Sequence, residues 1–157
     1  MTGEQPAAVV AAYAEAKSRA DVEEALRHCA DDVIVQTVPF QVVVTGKAAN
    51  RLSFTGFFSV FPDYAVDLEA TAGQGELLTG WGTLRASMQG PLGRVEATRR
   101  RFELPFACVW RVADGLLAHE RFFFDLHQMC EQLDLDTPAV MTEIRAASEL
   151  LTAAAAS

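Results

Sequence analysis

Residues 100–124 read RRFELPFACVWRVADGLLAHERFFF, and this stretch decides the fold. Phe102, Leu104, Phe106, Cys108 and Trp110 fall on one parity. Side chains on a strand alternate between faces, so this period predicts a long strand over 100–112 with one apolar face. Ala113-Asp114-Gly115 predicts a hairpin turn, because glycine accepts the positive φ that a tight turn requires. Leu116 to Phe124 is then the return strand. Two long strands joined by a tight turn commit the chain to an antiparallel sheet.

Working outward, the strand pattern continues upstream. Leu77 to Met88 predicts a strand, broken by Gly90-Pro91-Leu92-Gly93. Tyr64, Val66 and Leu68 alternate with Asp67 and Glu69, and a turn is expected at Gly73–Gly75. Before them the spacing is helical from Ala48 to Phe61, pairing Phe54 with Phe58 and Phe57 with Phe61, and Pro62 ends that helix. Val33 to Val38 and Val42 to Val44 are β-rich, separated by Pro39 and closed by Gly46. A helix opens at Asp21, with Glu24 at capping-box spacing, and is expected to stop at Asp31–Asp32. Another covers about 6–17, with Pro6 in its first turn and Val9, Tyr13 and Ala16 near one face. Downstream, Asp125 to Leu133 predicts a short helix. Thr137 as N-cap and Pro138 at the first helical position open a final helix to about Ala154.

This order predicts an α+β fold, with helices on one face of a curved antiparallel sheet. A bent sheet wrapped around helices leaves a conical cavity, a natural small-molecule pocket. No repeat or linker divides the chain, so 1–157 is expected to be one domain, with 136–157 an appended C-terminal helix.

Composition narrows the function classes. At 157 residues and 50% hydrophobic, the chain can bury a core without disulfides or metals. A net charge of −8 argues against nucleic-acid and anionic-membrane partners. No long apolar run predicts a membrane span, and Met1 to Pro6 lacks a secretory pattern, so a cytoplasmic protein is expected. Cys29, Cys108 and Cys130, odd in number and widely spaced, fit free thiols in a reducing compartment. No metal-ligand spacing, P-loop, dinucleotide fingerprint or Gly-x-Ser-x-Gly is present, so no metal or cofactor is expected.

Several local motifs match a known family. They are Ala30-Asp31-Asp32-Val33, Phe61-Pro62-Asp63-Tyr64, Trp110-Arg111-Val112-Ala113-Asp114-Gly115, and Phe124-Asp125 followed by Glu131-Gln132-Leu133. As a set, over roughly residues 7–135, the chain resembles the SnoaL-like polyketide cyclase branch of the NTF2-like superfamily. The resemblance implies an NTF2-like cone and a cofactor-free cyclase or isomerase. Its substrate would be a hydrophobic, carbonyl-bearing small molecule such as a polyketide intermediate. A homodimer through the outer sheet face is the family expectation. The superfamily also holds dehydratases, epoxide hydrolases and non-catalytic binding or assembly modules, so fold does not fix function.

The resemblance puts the acid–base aspartate of such cyclases at Asp125, after Phe122, Phe123 and Phe124. Apolar surroundings would raise a carboxyl pKa toward the useful range. The structural alternative for Asp125 is an N-cap on the following helix. Tyr13 stands where the ketosteroid isomerase branch has its oxyanion-hole tyrosine, and otherwise reads as a core tyrosine. Thr37 and Ala107 stand at that branch's aspartate positions, which argues against steroid isomerisation. His119 and Glu120 are further catalytic candidates on opposite faces of the last strand. The family usually has Glu, His and Trp where His119, Glu120 and Arg121 stand. Phe122 and Phe124 share Glu120's parity and favour that face as inward. Candidate substrate contacts are Phe54, Phe58, Phe106, Trp110, Phe122 and Phe124, with Trp81, Arg85 and Arg121 as polar or aromatic additions. Trp81 and Arg85 could equally face solvent. Arg85 with Asp125 is the pairing an epoxide-opening variant would use.

Overall fold

The hairpin predicted at 100–124 is the centre of the sheet. A computed structural model describes residues 4–156. Its strands are β1 (Cys29–Thr37), β2 (Val42–Thr45), β3 (Ala65–Gln74), β4 (Leu77–Ser87), β5 (Arg101–Ala113) and β6 (Leu116–Phe124). They form one six-stranded sheet in the order β2-β1-β6-β5-β4-β3. Its helices are α1 (Glu4–Ser18), α2 (Val22–Arg27), α3 (Lys47–Val60), α4 (Leu126–Leu133) and α5 (Thr137–Ala156). This is a mixed α+β fold with a curved, unclosed sheet. Among the described residues, no helix is long and apolar enough to cross a membrane.

β5 and β6 pair antiparallel through a turn at Asp114 (φ 53°) and Gly115 (φ 76°), both left-handed. A turn with two such residues matches the twist of its strands. Arg111 faces His119 but Val112 faces Leu117, so Ala118 has no partner and forms a bulge. The extra residue resets the parity of β6. Leu117 and Glu120, three apart, are therefore both buried, and Glu120 follows Phe122 inward.

Three features differ from the sequence expectation. The second helix ends at Arg27 and not at Asp31–Asp32, because β1 already begins at Cys29, opposite Leu117. The Leu117 N–H donates to the His28 carbonyl at 2.8 Å. Long-range pairing thus overrides local helix preference. The sheet is also not wholly antiparallel, since β1 runs parallel to β6. Only strands joined by a tight turn are forced antiparallel, and about half of the chain separates these two. Finally, the Asp136 carboxylate accepts from Ala139 N at 3.0 Å, so Asp136 and not Thr137 caps α5.

The buried residues of α1, Val10, Tyr13 and Ala16, pack with Val33, Leu104, Val112 and Leu117 of the sheet. α3 contributes Phe54, Phe58 and Val60 to the same core. α5 packs against α3, and a smaller cluster sets its Val140 and Ile144 beside Cys130 of α4.

Candidate functional site

The sheet, α3 and α5 enclose a cavity of about 540 Å³. Phe54, Phe57 and Phe58 come from α3, Phe61 from its C-cap, and Phe122 and Phe124 from β6. Val140, Ile144 and Leu151 of α5 complete the wall. The walls are overwhelmingly apolar, and Lys17 and Glu120 supply their only ammonium and only carboxylate among the described residues.

Glu120 is the centre of the polar end, at 2% exposure. Tyr13 donates its hydroxyl to Oε1 at 3.1 Å, and Lys17 Nζ donates to the same oxygen at 3.4 Å. Trp110 Nε1 donates to Oε2 at 2.8 Å. The sequence arranges this locally. Tyr13 and Lys17 are four apart on α1, so they sit one above the other on its inner face. Trp110 and Glu120 are directly opposed across β5 and β6. Gly80 gives the indole its room, because a Cβ there would lie 2.8 Å from Trp110 Cζ3.

Electrostatics follow from this packing. The Lys17 ammonium lies 5.1 Å from the ring centroids of both Tyr13 and Phe54. It lies 5.9 Å from Tyr64 and 5.7 Å from Phe122. Four π faces offset part of the cost of holding it away from water. Burial, then the Glu120 charge, pushes the Tyr13 hydroxyl well above its usual range, so it stays a proton donor. Burial and Glu120 do the same to Tyr64. Burial pushes the Cys29 thiol up to about 12 and Cys108 upward as well, which makes both poor nucleophiles. Among the described residues, no group of three His, Cys, Asp or Glu is arranged to hold a metal ion.

This arrangement brings together Tyr13, Glu120, Trp110, Phe54, Phe58, Phe122 and Phe124 of the sequence candidates. Phe106 is buried and stacks on Phe122 at 5.2 Å, behind the cavity wall. Thr37 lines the cavity, whereas Ala107 is exposed on the outer face. Asp125 is exposed, outside the lining, and accepts from Gln128 N at 3.0 Å as the N-cap of α4. The three phenylalanines before it do not enclose it, because the chain leaves the sheet at that point. His119 lies on the outer face, half-buried, its pKa lowered by burial and then by Arg121 and Arg111. Arg121 is exposed and stacks over Phe123. Trp81 is exposed on the outer face, and Arg85 there pairs with Asp67.

Sequence reasoning missed Lys17. Its signal was the four-residue spacing from Tyr13, which puts a lysine on the buried face of α1. Long lysines usually reach water from such a place. Here the ammonium instead meets Glu120, a partner 103 residues away.

Residues 7–133 match the family described as SnoaL-like polyketide cyclase. No curated protein sequence matches this one. Similar solved structures include a candidate SnoaL-like polyketide cyclase from Jannaschia sp. CCS1, at 17% identity and TM-score 0.75, covering 85% of this chain and 94% of that one. IdmH, a candidate polyketide cyclase from Streptomyces antibioticus, is 20% identical with TM-score 0.71, covering 83% and 99%. An LEH-like epoxide hydrolase from M. tuberculosis is 17% identical with TM-score 0.69, covering 83% and 90%. At these identities the structures speak for the fold, which is NTF2-like. The family match spans most of the chain, and the chain belongs to the SnoaL-like polyketide cyclase family.

Proposed function

We propose that the protein is a cofactor-free cyclase or isomerase acting by acid–base catalysis on a hydrophobic, carbonyl-bearing small molecule. The observation that carries this reading is the Glu120–Lys17–Tyr13 cluster at one end of an apolar cavity. An ammonium has three N–H donors, and Lys17 uses one of them on Glu120. A substrate carbonyl oxygen takes another, so that Lys17 stabilises the developing enolate. Glu120 moves the proton at the neighbouring carbon, with Tyr13 and Trp110 orienting its carboxylate. The phenylalanines exclude water and hold the chain folded, which makes a ring closure effectively intramolecular. A proton-transfer group must reach the reacting atoms, so the role falls to Glu120 and not to the surface cap Asp125.

The test starts from native mass spectrometry of protein purified from its own producing cells. A retained carbonyl compound supplies the substrate. On it, Glu120→Gln lowers kcat by roughly a hundredfold to ten-thousandfold while the fold is retained. Unchanged turnover sinks the assignment.

A non-catalytic binding module is the second reading, favoured by the three donors that already satisfy Glu120. It predicts tight binding and no conversion. Epoxide opening has less support, because Arg85 pairs with Asp67 on the outer face, away from the cavity. A homodimer belongs to the same proposal, with exposed Trp81 and Val109 on the outer sheet face as its contact. Sedimentation of wild type against Trp81→Glu checks it.

A further inference from the structure

We infer that substrate enters between α3 and the second half of α5, and that Gly56 and Ala147 set how bulky a part of it stays in that opening. The inference rests on the reading of Lys17 and Glu120 as the end that holds the reacting carbonyl.

Exposure locates the opening. Leu52 and Gly56 of α3, and Ala147 and Leu150 of α5, line the cavity and are exposed as well. Leu52 is 53% and Leu150 73% exposed, against 2% for Glu120 at the polar end. The segment Gly90–Gly93 bridges the two helices, with Gly90 against the Ser59 carbonyl and Gly93 against the Glu143 carboxylate. A second cavity reaches Lys17 and Glu120 past Ala14, Val66 and Leu68, but it holds about 10 Å³, room for one water. A molecule whose carbonyl meets Lys17 therefore arrives through the α3–α5 opening and leaves its trailing part there.

Side-chain size sets what fits. Glycine inside a helix destabilises it relative to alanine. Packing does not demand glycine at 56, since a Cβ there would meet no atom within 4 Å. Gly56 lines the cavity, so its clearance serves what occupies the cavity. On α5, Ala147 has the smallest side chain among the lining residues Val140, Ile144, Ala147, Ser148 and Leu151.

The α5 side is this chain's own. α5 lies beyond the matched residues 7–133. The three similar structures cover at most 85% of this chain but at least 90% of their own. Selection among related substrates at this opening thus uses a wall that the family match does not supply.

Full-length protein is titrated calorimetrically with 2,4-diketones of six, nine and twelve carbons, which pair one dicarbonyl head with a graded tail. Wild type is expected to gain roughly threefold to fourfold per added methylene. Gly56→Phe/Ala147→Phe should keep the six-carbon affinity within about twofold and lose about tenfold or more on the twelve-carbon member. Glu149→Phe, on α5 outside the lining, should leave the whole series unchanged. Gly56→Ala alone should raise the melting temperature by about 2–4 °C, because the helix gains and nothing clashes. A lower melting temperature overturns the clearance argument. A length gain that survives in the double variant, an equal loss at every length, or a wild type that binds no member overturns the inference. If the double variant does not fold, Ala147→Phe alone decides by the same profile. Glu120→Gln separates the two readings. If it converts the retained carbonyl compound as fast as wild type while the length profile holds, acid–base catalysis fails and the opening stands.

Discussion

Removing either member of the Lys17–Glu120 pair should destabilise the protein more than removing both together would suggest. The two charges are 3.4 Å apart, with side chains 13% and 3% exposed. At an effective dielectric of about 20, their attraction is roughly 5 kcal/mol before desolvation is subtracted. Breaking a buried pair by deleting one partner costs about 3–5 kcal/mol, because a charge is left behind. Lys17→Met keeps the stem's volume and its contact with aromatic rings. It leaves Glu120 with Tyr13 and Trp110 as donors, so the loss is about 3 kcal/mol, at the low end. Glu120→Gln leaves the ammonium without a counter-charge. It also turns an amide N–H₂ toward a donor on one side, and costs about 3–4 kcal/mol. In Lys17→Met/Glu120→Gln neither lone charge remains, so the double variant loses at least about 1 kcal/mol less than the sum. Urea unfolding of the four proteins measures this, provided the slope with denaturant stays constant. Additivity within about 0.5 kcal/mol would refute the argument that the two groups form one electrostatic unit.

Three further outcomes follow from the same geometry. The chain has two tyrosines, and both are held protonated above the ordinary value of 10.0. The unfolded chain releases those protons first, so stability is full below pH 10 and falls as pH rises above it. Ultraviolet titration should show tyrosinate only together with loss of tertiary signal; early tyrosinate in folded protein contradicts the buried placement. The folded His119 pKa is lowered from 6.5, so the unfolded state binds its proton first and stability falls as pH drops below 6.5. His119→Gln should flatten that acid limb in thermal melts, and an unchanged limb assigns it to other groups. Asp125→Ala should cost about 1 kcal/mol through loss of the α4 cap. It should leave turnover of a confirmed substrate unchanged; a collapse in turnover without unfolding would return the acid–base role to Asp125.

Local periodicity was enough for the β5–β6 hairpin, because two-residue alternation and a glycine turn are properties of neighbours in sequence. The same holds for α1, for α3 with its phenylalanine ladder, and for the Asp21 and Asp125 caps, each bonded three residues on. Parity also favoured Glu120's face as inward, through Phe122 and Phe124. The β6 register depended on the Ala118 bulge, which exists only because β5 pairs across it. The start of β1 at Cys29 depended on a strand more than 80 residues later. The same reason hid the site. Tyr13 and Lys17, then Trp110 and Glu120, are each legible as pairs, by helical spacing and by cross-strand register. Nothing local says that the two pairs meet. Folding α1 into the mouth of the sheet joins them around one carboxylate, and burial there gives Tyr13 its raised pKa. Exposure decided the rest. The aromatic run before Asp125 reads as apolar surroundings, but the chain turns off the sheet there and leaves that carboxylate in water.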